Sequence, residues 1–303
     1  MTGAVLATAL LCGGAVACSE STGGGSKGAK ADQQPHSKAA VAKAITAAYK
    51  KTAAAKSAHV EMTMKMPAGA ADGGGDMKMS GLMGWDPTVM DMTASGSAFA
   101  GAAGGPDKIR MVWQDNVMYM DMGAEAAKDM DGKRWMKMDL NAIAEQSGDD
   151  KMAKQLTGSI DSANQDPAQQ LAMLLDSPNL KHVGSEKIDG QQTEHYKGKL
   201  TVTEMMESND SLDVFSESER DEILKNIEKA GITGYDTEVW VNEDDYPARM
   251  DIAMDNAEGT VDISMKYSDY GTAVKVSPPA AKDTFDLMEM LKDLEELGAE
   301  DPA

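Results

Sequence analysis

Cysteine is nearly absent: the 303-residue chain has two, Cys12 and Cys18. Cleavage before Cys18 leaves a single thiol, which removes structural disulfides and thiol chemistry together. Large aromatics are scarce, with 3 Phe and 4 Trp. Positive charge is short as well: 29 Lys and Arg stand against 50 Asp and Glu, a formal net charge of −21. Such a surface repels phosphate backbones, so nucleic acid is excluded as a partner. No stretch approaches the roughly 18 consecutive apolar residues of a membrane-spanning helix. Also missing are a Gly-x-Ser-x-Gly elbow, a His-Glu-x-x-His pair, a glycine-rich phosphate loop and a cysteine nucleophile. His36, His59, His182 and His195 are scattered among polar neighbours. The expectation is a non-enzyme without a cofactor.

What is abundant is methionine, 25 residues. An unbranched thioether thus supplies apolar volume that Leu, Ile and Phe normally supply, and any cavity it lines should be adaptable. At the amino terminus, residues 5–16 form an apolar run of about a dozen residues, the length of a signal-peptide core. It ends in Ala15-Val16-Ala17-Cys18, which resembles a bacterial lipobox cut before a cysteine that is then diacylated. Ala15 stands where Leu is commoner, and Met1-Thr2-Gly3 carries no basic residue. The expected organisation is a signal peptide over 1–17, a lipidated Cys18 with a Gly/Ser/Lys/Gln-rich tether over 18–36, and one domain over 37–298.

Val41, Ala44, Ile45, Ala48 and Tyr49 recur at helical spacing, which predicts an amphipathic helix over 37–56 with Ser37 as N-cap. After Ser57 the period becomes two: Val60, Met62, Met64 and Met66 alternate with Glu61, Thr63 and Lys65. The alternation returns at Met77/Met79, Met90/Met92, Ile109/Met111/Trp113, Met118/Met120/Met122 and Met136/Met138, between Gly-, Asp- and Pro-rich turns. Helical spacing interrupts it over 141–158 and 167–176. Strands resume over 180–189 and 192–203, then a helix over 217–230, strands over 237–242, 248–255 and 260–267, and an acidic helix over 284–297. The fold class is α+β, with about ten antiparallel strands and a few helices, too many strands to lie flat.

Each strand has one apolar and one charged face. Periodicity alone leaves two readings open, a methionine-filled core and a methionine-lined cavity. Met-x-Met repeats beside His59 also raise Cu(I) binding, although same-face residues at i and i+2 are what any half-buried strand produces. A copper-binding lipoprotein and an envelope interaction or sensor protein are the alternatives to a protein that binds apolar ligands in such a cavity.

An N-terminal helix, Ser57-Ala58-His59-Val60-Glu61-Met62, the Asp131-Gly132-Lys133-Arg134-Trp135 turn, Val239-Trp240-Val241-Asn242-Glu243-Asp244-Asp245 with Pro247, and Tyr267-Ser268-Asp269-Tyr270-Gly271 before Pro278-Pro279 together resemble the LppX/LprG-type (LppX_LprAFG) actinobacterial lipoproteins, within the LolA/LolB-like superfamily. The resemblance spans about residues 37–295. It implies a curved antiparallel half-barrel whose concave face is covered by helices and encloses a hydrophobic cavity for acyl chains. It further implies a monomeric, membrane-anchored protein at the extracytoplasmic face of the cell membrane, carrying lipid or lipoprotein acyl chains. Lining candidates are Met62, Met64, Met79, Met92, Met111, Trp113, Met120, Met138, Ile252, Met254, Ile263 and Met265.

Overall fold

The computed structural model describes residues 37–67, 74–97, 108–147, 167–207, 225, 227, 229 and 231–290. The chain enters through helix α1 (Lys38–Ala55), whose first free N–H groups are capped where Ser37 Oγ accepts from the Ala40 amide at 3.2 Å. Val41, Ile45, Ala48 and Thr52 make one buried stripe along it. Lys56, in the left-handed region at φ 63°, ends the helix and turns the chain into the sheet.

The described strands form a single sheet of twelve. In chain order they are β1 (Ser57–Met66), β2 (Gly75–Trp85), β3 (Thr88–Gly96), β4 (Lys108–Gln114), β5 (Val117–Asp121), β6 (Trp135–Asp139), β7 (Lys181–Ile188), β8 (Gln191–Thr201), β9 (Gly234–Asn242), β10 (Pro247–Asn256), β11 (Gly259–Ser268) and β12 (Thr284–Asp286). Their spatial order is β12-β6-β5-β4-β3-β2-β1-β11-β10-β9-β8-β7. β1 pairs with β11, so two meanders join at the centre of the sheet. The sheet stays open, with β12 and β7 as its edges. Short helices α2 (Gly123–Ala126), α3 (Leu140–Ser147), α4 (Pro167–Asp176) and α5 (Val202–Glu207) complete the α+β fold.

Three expectations change. The sheet has twelve strands where about ten were counted, and β12 runs parallel to β6 in an otherwise antiparallel array. The expected acidic helix over 284–297 begins instead with β12, because Phe285 takes a place beside Met136 and Asp286 finds Lys137; residues 291–297 lie outside the described residues. The helix expected over 141–158 is seen as α3, its remainder lying outside the described residues, as does most of 217–230. Residues 1–36, with Cys18, the expected signal peptide and the tether, lie outside them too.

The core sits between α1, α4 and one face of β1–β3 and β8–β11. Val41 and Ile45 of α1 and Leu171 and Leu174 of α4 close on Val60, Met62, Met92, Met250 and Met265. Gly198 on β8 lets α4 approach: a Cβ there would lie 2.6 Å from Leu174 Cδ1 and 2.8 Å from Ser177 Oγ. Ser177, just past α4, ties the helix down by donating to the Lys199 carbonyl at 2.8 Å and accepting from its amide at 3.1 Å.

Candidate functional site: the methionine face of the sheet

Strand register sorts every lining candidate onto one face. One row runs His182–Tyr196–Val239–Met250–Met265–Met62–Met79–Ala94–Ile109 across the sheet. A second runs Met136–Met120–Met111–Met92–Gly81–Val60–Tyr267, and a third Met138–Met118–Trp113–Met90–Met83. Met64, Ile263 and Ile252 form part of a fourth, with Met254 one row beyond. Met77, Met83, Met90, Met118, Met136 and Met250 share this face and were not among the candidates. Their signal was the same alternation, and only the sheet register shows that it runs unbroken from β6 to β10.

The structure then divides the candidates. Met62, Met79, Met92, Ile252, Ile263 and Met265 belong to, or pack against, the core beneath α1 and α4. Met92 and Met265 are fully buried, at 0% and 1% exposure. Met64, Met111, Trp113, Met120, Met138 and Met254 are outside that core. Of these Trp113 is buried and the other five are half-buried. Four of the six lie on β4–β6, the wing of the sheet beyond the packed helices. The buried Trp113 Nε1 has no hydrogen-bond partner among the described residues, which leaves an unsatisfied donor within an otherwise thioether-rich surface. Half-buried side chains with three rotatable bonds can re-form around an apolar guest.

The opposite face is polar and closed on itself. Lys197 Nζ donates to Glu238 Oε1 at 2.8 Å, Lys199 Nζ to Asp236 Oδ2 at 3.3 Å, and Arg249 holds Asp251 through two bonds of 2.8 and 2.5 Å. Burial pushes the Glu238 carboxyl up, but the Lys197 ammonium and His195 outweigh it and hold Glu238 below the usual carboxylate range. Trp240 is sandwiched between the His195 ring, stacked at 4.2 Å, and the Arg249 guanidinium at 4.9 Å, while its Nε1 donates to Glu186. Lys197, Asp236, Glu238, Arg249 and Asp251, with Thr63, Lys65, Asp262 and Ser264, line a concavity of about 340 Å³. Of the lining candidates only Ile252 and Ile263 border it. A second concavity of about 530 Å³ lies between the β7–β8 and β9–β10 turns and is likewise polar, lined by Lys187, Gln191, Gln192, Asn242, Glu243 and Asp244. Neither concavity suits an acyl chain. Sequence reading placed these charges on a wet outer face; what it missed was their pairing in register between β8 and β9, for which the opposite signs of Lys197 and Lys199 against Asp236 and Glu238 were the available cue.

The register also tests the copper reading. His59 pairs with Ser268 and Leu82 and so alternates to the face opposite Met62 and Met64. The proposed imidazole and thioethers therefore do not converge. Among the described residues no group of three or more His, Cys, Asp or Glu is arranged to hold a metal ion.

No family model matches the chain. A Streptomyces coelicolor protein named as a lipoprotein is 24% identical over 259 residues, covering 82% of this chain and 76% of that protein. Among solved structures, the Mycobacterium tuberculosis lipoprotein LppX is similar over 80% of this chain and all (100%) of its own, at 13% identity and a TM-score of 0.45. The 31.2 kDa protein of the rplA–rplJ intergenic region of Streptomyces griseus is 31% identical over 264 residues, 84% of this chain and 82% of that one. By that identity over most of both chains, the protein belongs to the family of this Streptomyces griseus protein.

Proposed function

We propose that this protein is an extracytoplasmic lipoprotein, anchored to the cell membrane through diacylated Cys18, that binds acyl chains of envelope lipids or lipoproteins on the methionine face and acts as their carrier or chaperone. The observation that carries the reading is the β4–β6 wing, where Met111, Met120 and Met136 lie in register, with Met138 on the same face one row beyond, all half-buried outside the core. The lipoprotein name of the Streptomyces coelicolor relative supports the anchor, and the Ala-Val-Ala-Cys18 sequence supplies the acceptor.

The mechanism is shielding from water. Each buried methylene of a chain gains about 0.8 kcal/mol, so a wing that accepts most of a chain competes with the bilayer. Methionine accommodates different chain lengths by changing rotamer, where β-branched residues would hold one shape. Cargo recognition then rests on area and chain length, with no covalent step.

Organic extraction and mass spectrometry of the purified full-length protein test this, with copper measured on the same sample. A bound acyl lipid near one equivalent is expected. Protein that carries no lipid and takes up no fluorescent fatty acid overturns the carrier reading, and stoichiometric copper without lipid replaces it with the metal-binding one. Incorporation of labelled palmitate that disappears in Cys18→Ala checks the anchor.

A further inference from the structure

We infer that the outward face of α1 is the surface this domain turns toward an anionic bilayer; the inference rests on the anchoring at Cys18 proposed above. α1 spans 18 residues, about 27 Å at 1.5 Å per residue. In a chain of net charge −21 it contains four lysines (Lys38, Lys43, Lys50 and Lys51) and no Asp or Glu. Lys43 and Lys50, seven residues apart, lie on one face, opposite the buried stripe of Val41, Ile45, Ala48 and Thr52, and both are exposed. Lys38 is exposed at the helix start. None of these three makes an ion pair among the described residues. Lys51 differs, since its ammonium lies 5.6 Å from the centre of the Tyr246 ring, and Lys56, just past the helix, pairs with Asp86 at 2.6 Å. Tyr49, beside this face, is one of two large apolar side chains exposed among the described residues, at 38%. An exposed tyrosine among free lysines is the composition of a helix lying at a headgroup boundary.

Net charge does not decide against this. Charges beyond about one Debye length, 8–10 Å, are screened, so the bilayer senses the nearest face of the domain and not its total. The anionic surface repels the acidic faces and attracts the one long element among the described residues that has no acid. α1 is also the first described element after the anchor. Residues 19–36 separate it from Cys18, which caps the distance at roughly 65 Å of extended chain. Anchoring therefore keeps α1 within reach of the surface permanently, and a weak attraction is enough to set orientation. Each lysine near an anionic surface contributes about a five-fold bias, so Lys43 and Lys50 together favour the inward orientation roughly 20-fold or more.

The test is lysine footprinting on the acylated full-length protein reconstituted into vesicles of phosphatidylcholine alone or with phosphatidylglycerol. A water-soluble amine-acylating reagent is applied and the rate at each lysine is read by mass spectrometry. Lys43 and Lys50 are expected to label several-fold more slowly on the phosphatidylglycerol vesicles, with Lys78 and Lys187 unchanged, and the difference should vanish at high salt. In Lys43→Gln, which alters only an exposed position, the protection of Lys50 should fall several-fold while the circular dichroism spectrum stays the same. Equal rates on both vesicles, or protection centred on another face, overturn the inference. The mass of the Cys18 peptide reports acylation separately. If Cys18 is not acylated, coupling the chain beginning at Cys18 to maleimide lipid through its thiol runs the same footprint, so failure of the anchor and failure of the orientation are read apart.

Discussion

Two halves of the methionine face have the same chemistry and different surroundings. Beneath α1 and α4, Met92, Met250 and Met265 are sealed by Val41, Ile45, Leu171 and Leu174. On β4–β6, Met111, Met118, Met120, Met136 and Met138 remain half-buried outside that core. The same residue type is fully buried where a helix lies on it and half-buried where none of the core helices packs. Methionine abundance alone therefore identifies neither a core nor a binding surface; what covers each row decides.

The sharpest way to break this comparison is truncation on both sides. Met265→Ala leaves a cavity in a site that cannot collapse, and should cost about 2–5 kcal/mol in urea unfolding. Met120→Ala removes a half-buried side chain and should cost roughly 1 kcal/mol or less. Acyl-chain binding should show the reverse order: the double variant Met111→Asn/Met120→Asn should weaken uptake of a fluorescent fatty acid about ten-fold or more, since each 1.4 kcal/mol of lost apolar contact is a factor of ten. Equal stability losses at Met265 and Met120 would make the two halves one core.

Alkaline pH probes the sealed half through Tyr196. Tyr196, 3% exposed, continues the row of Val239, Met250 and Met265. Burial, with the Glu194 and Asp245 charges adding to it, pushes its phenol up to about 12. A raised folded pKa means that the folded chain holds its proton where the unfolded chain has released it. The stability is intact below pH 10 and falls by roughly 2–3 kcal/mol as the pH climbs from 10 to 12. Tyr196→Phe should flatten that part of the stability curve. A slope unchanged by the substitution would assign the alkaline loss to other groups.

Most of this architecture was legible in the chain because strand period and turn chemistry are local. Met62, Met64 and Met66 alternate with Glu61, Thr63 and Lys65 within β1, and Pro167 opens α4, which occupies the range its leucine spacing marked out. The unread parts are non-local. Phe285 and Asp286 looked like the start of an acidic helix because the partners that hold them in a strand, Met136 and Lys137, are some 149 positions away. Which methionines α1 and α4 cover depends on where two helices dock, and nothing in the alternation of a strand records that. The closing of the polar face by Lys197–Glu238 and Lys199–Asp236 depends on register in the same way.

Gly198 tests the docking itself. A valine there would drive side-chain atoms into Leu174 and Ser177, which a Cβ alone already meets at 2.6 and 2.8 Å. Gly198→Val should lift α4 and cost about 1–3 kcal/mol, and it should raise the fatty-acid uptake of the sealed half by uncovering Met250 and Met265. Unchanged uptake with α4 lifted would show that the sealed methionines cannot re-form around a guest, which would leave acyl binding to the wing alone.

The smallest effect belongs to the outer edge of the wing, where a polar contact holds what helices hold elsewhere. Lys137 Nζ donates to Asp286 Oδ2 at 2.8 Å, joining β6 to β12. Burial pushes the Asp286 carboxyl up, but the Lys137 ammonium and the Met288 amide outweigh it, so it lies below the usual carboxylate range. A lowered folded pKa gives stability that is present above the ordinary carboxylate pKa and lost as the pH falls through the folded value. At neutral pH Asp286→Asn should cost about 1 kcal/mol or less, too little to unfold the domain. Hydrogen exchange should nevertheless quicken at the Trp135–Asp139 and Thr284–Asp286 amides and stay constant at β1, β10 and β11. Exchange that quickens equally at β10 would mean that the wing and the sealed half open as one unit. A methionine row could not then be half sealed and half available, because any guest admitted on β4–β6 would have to loosen the core beneath α1 and α4.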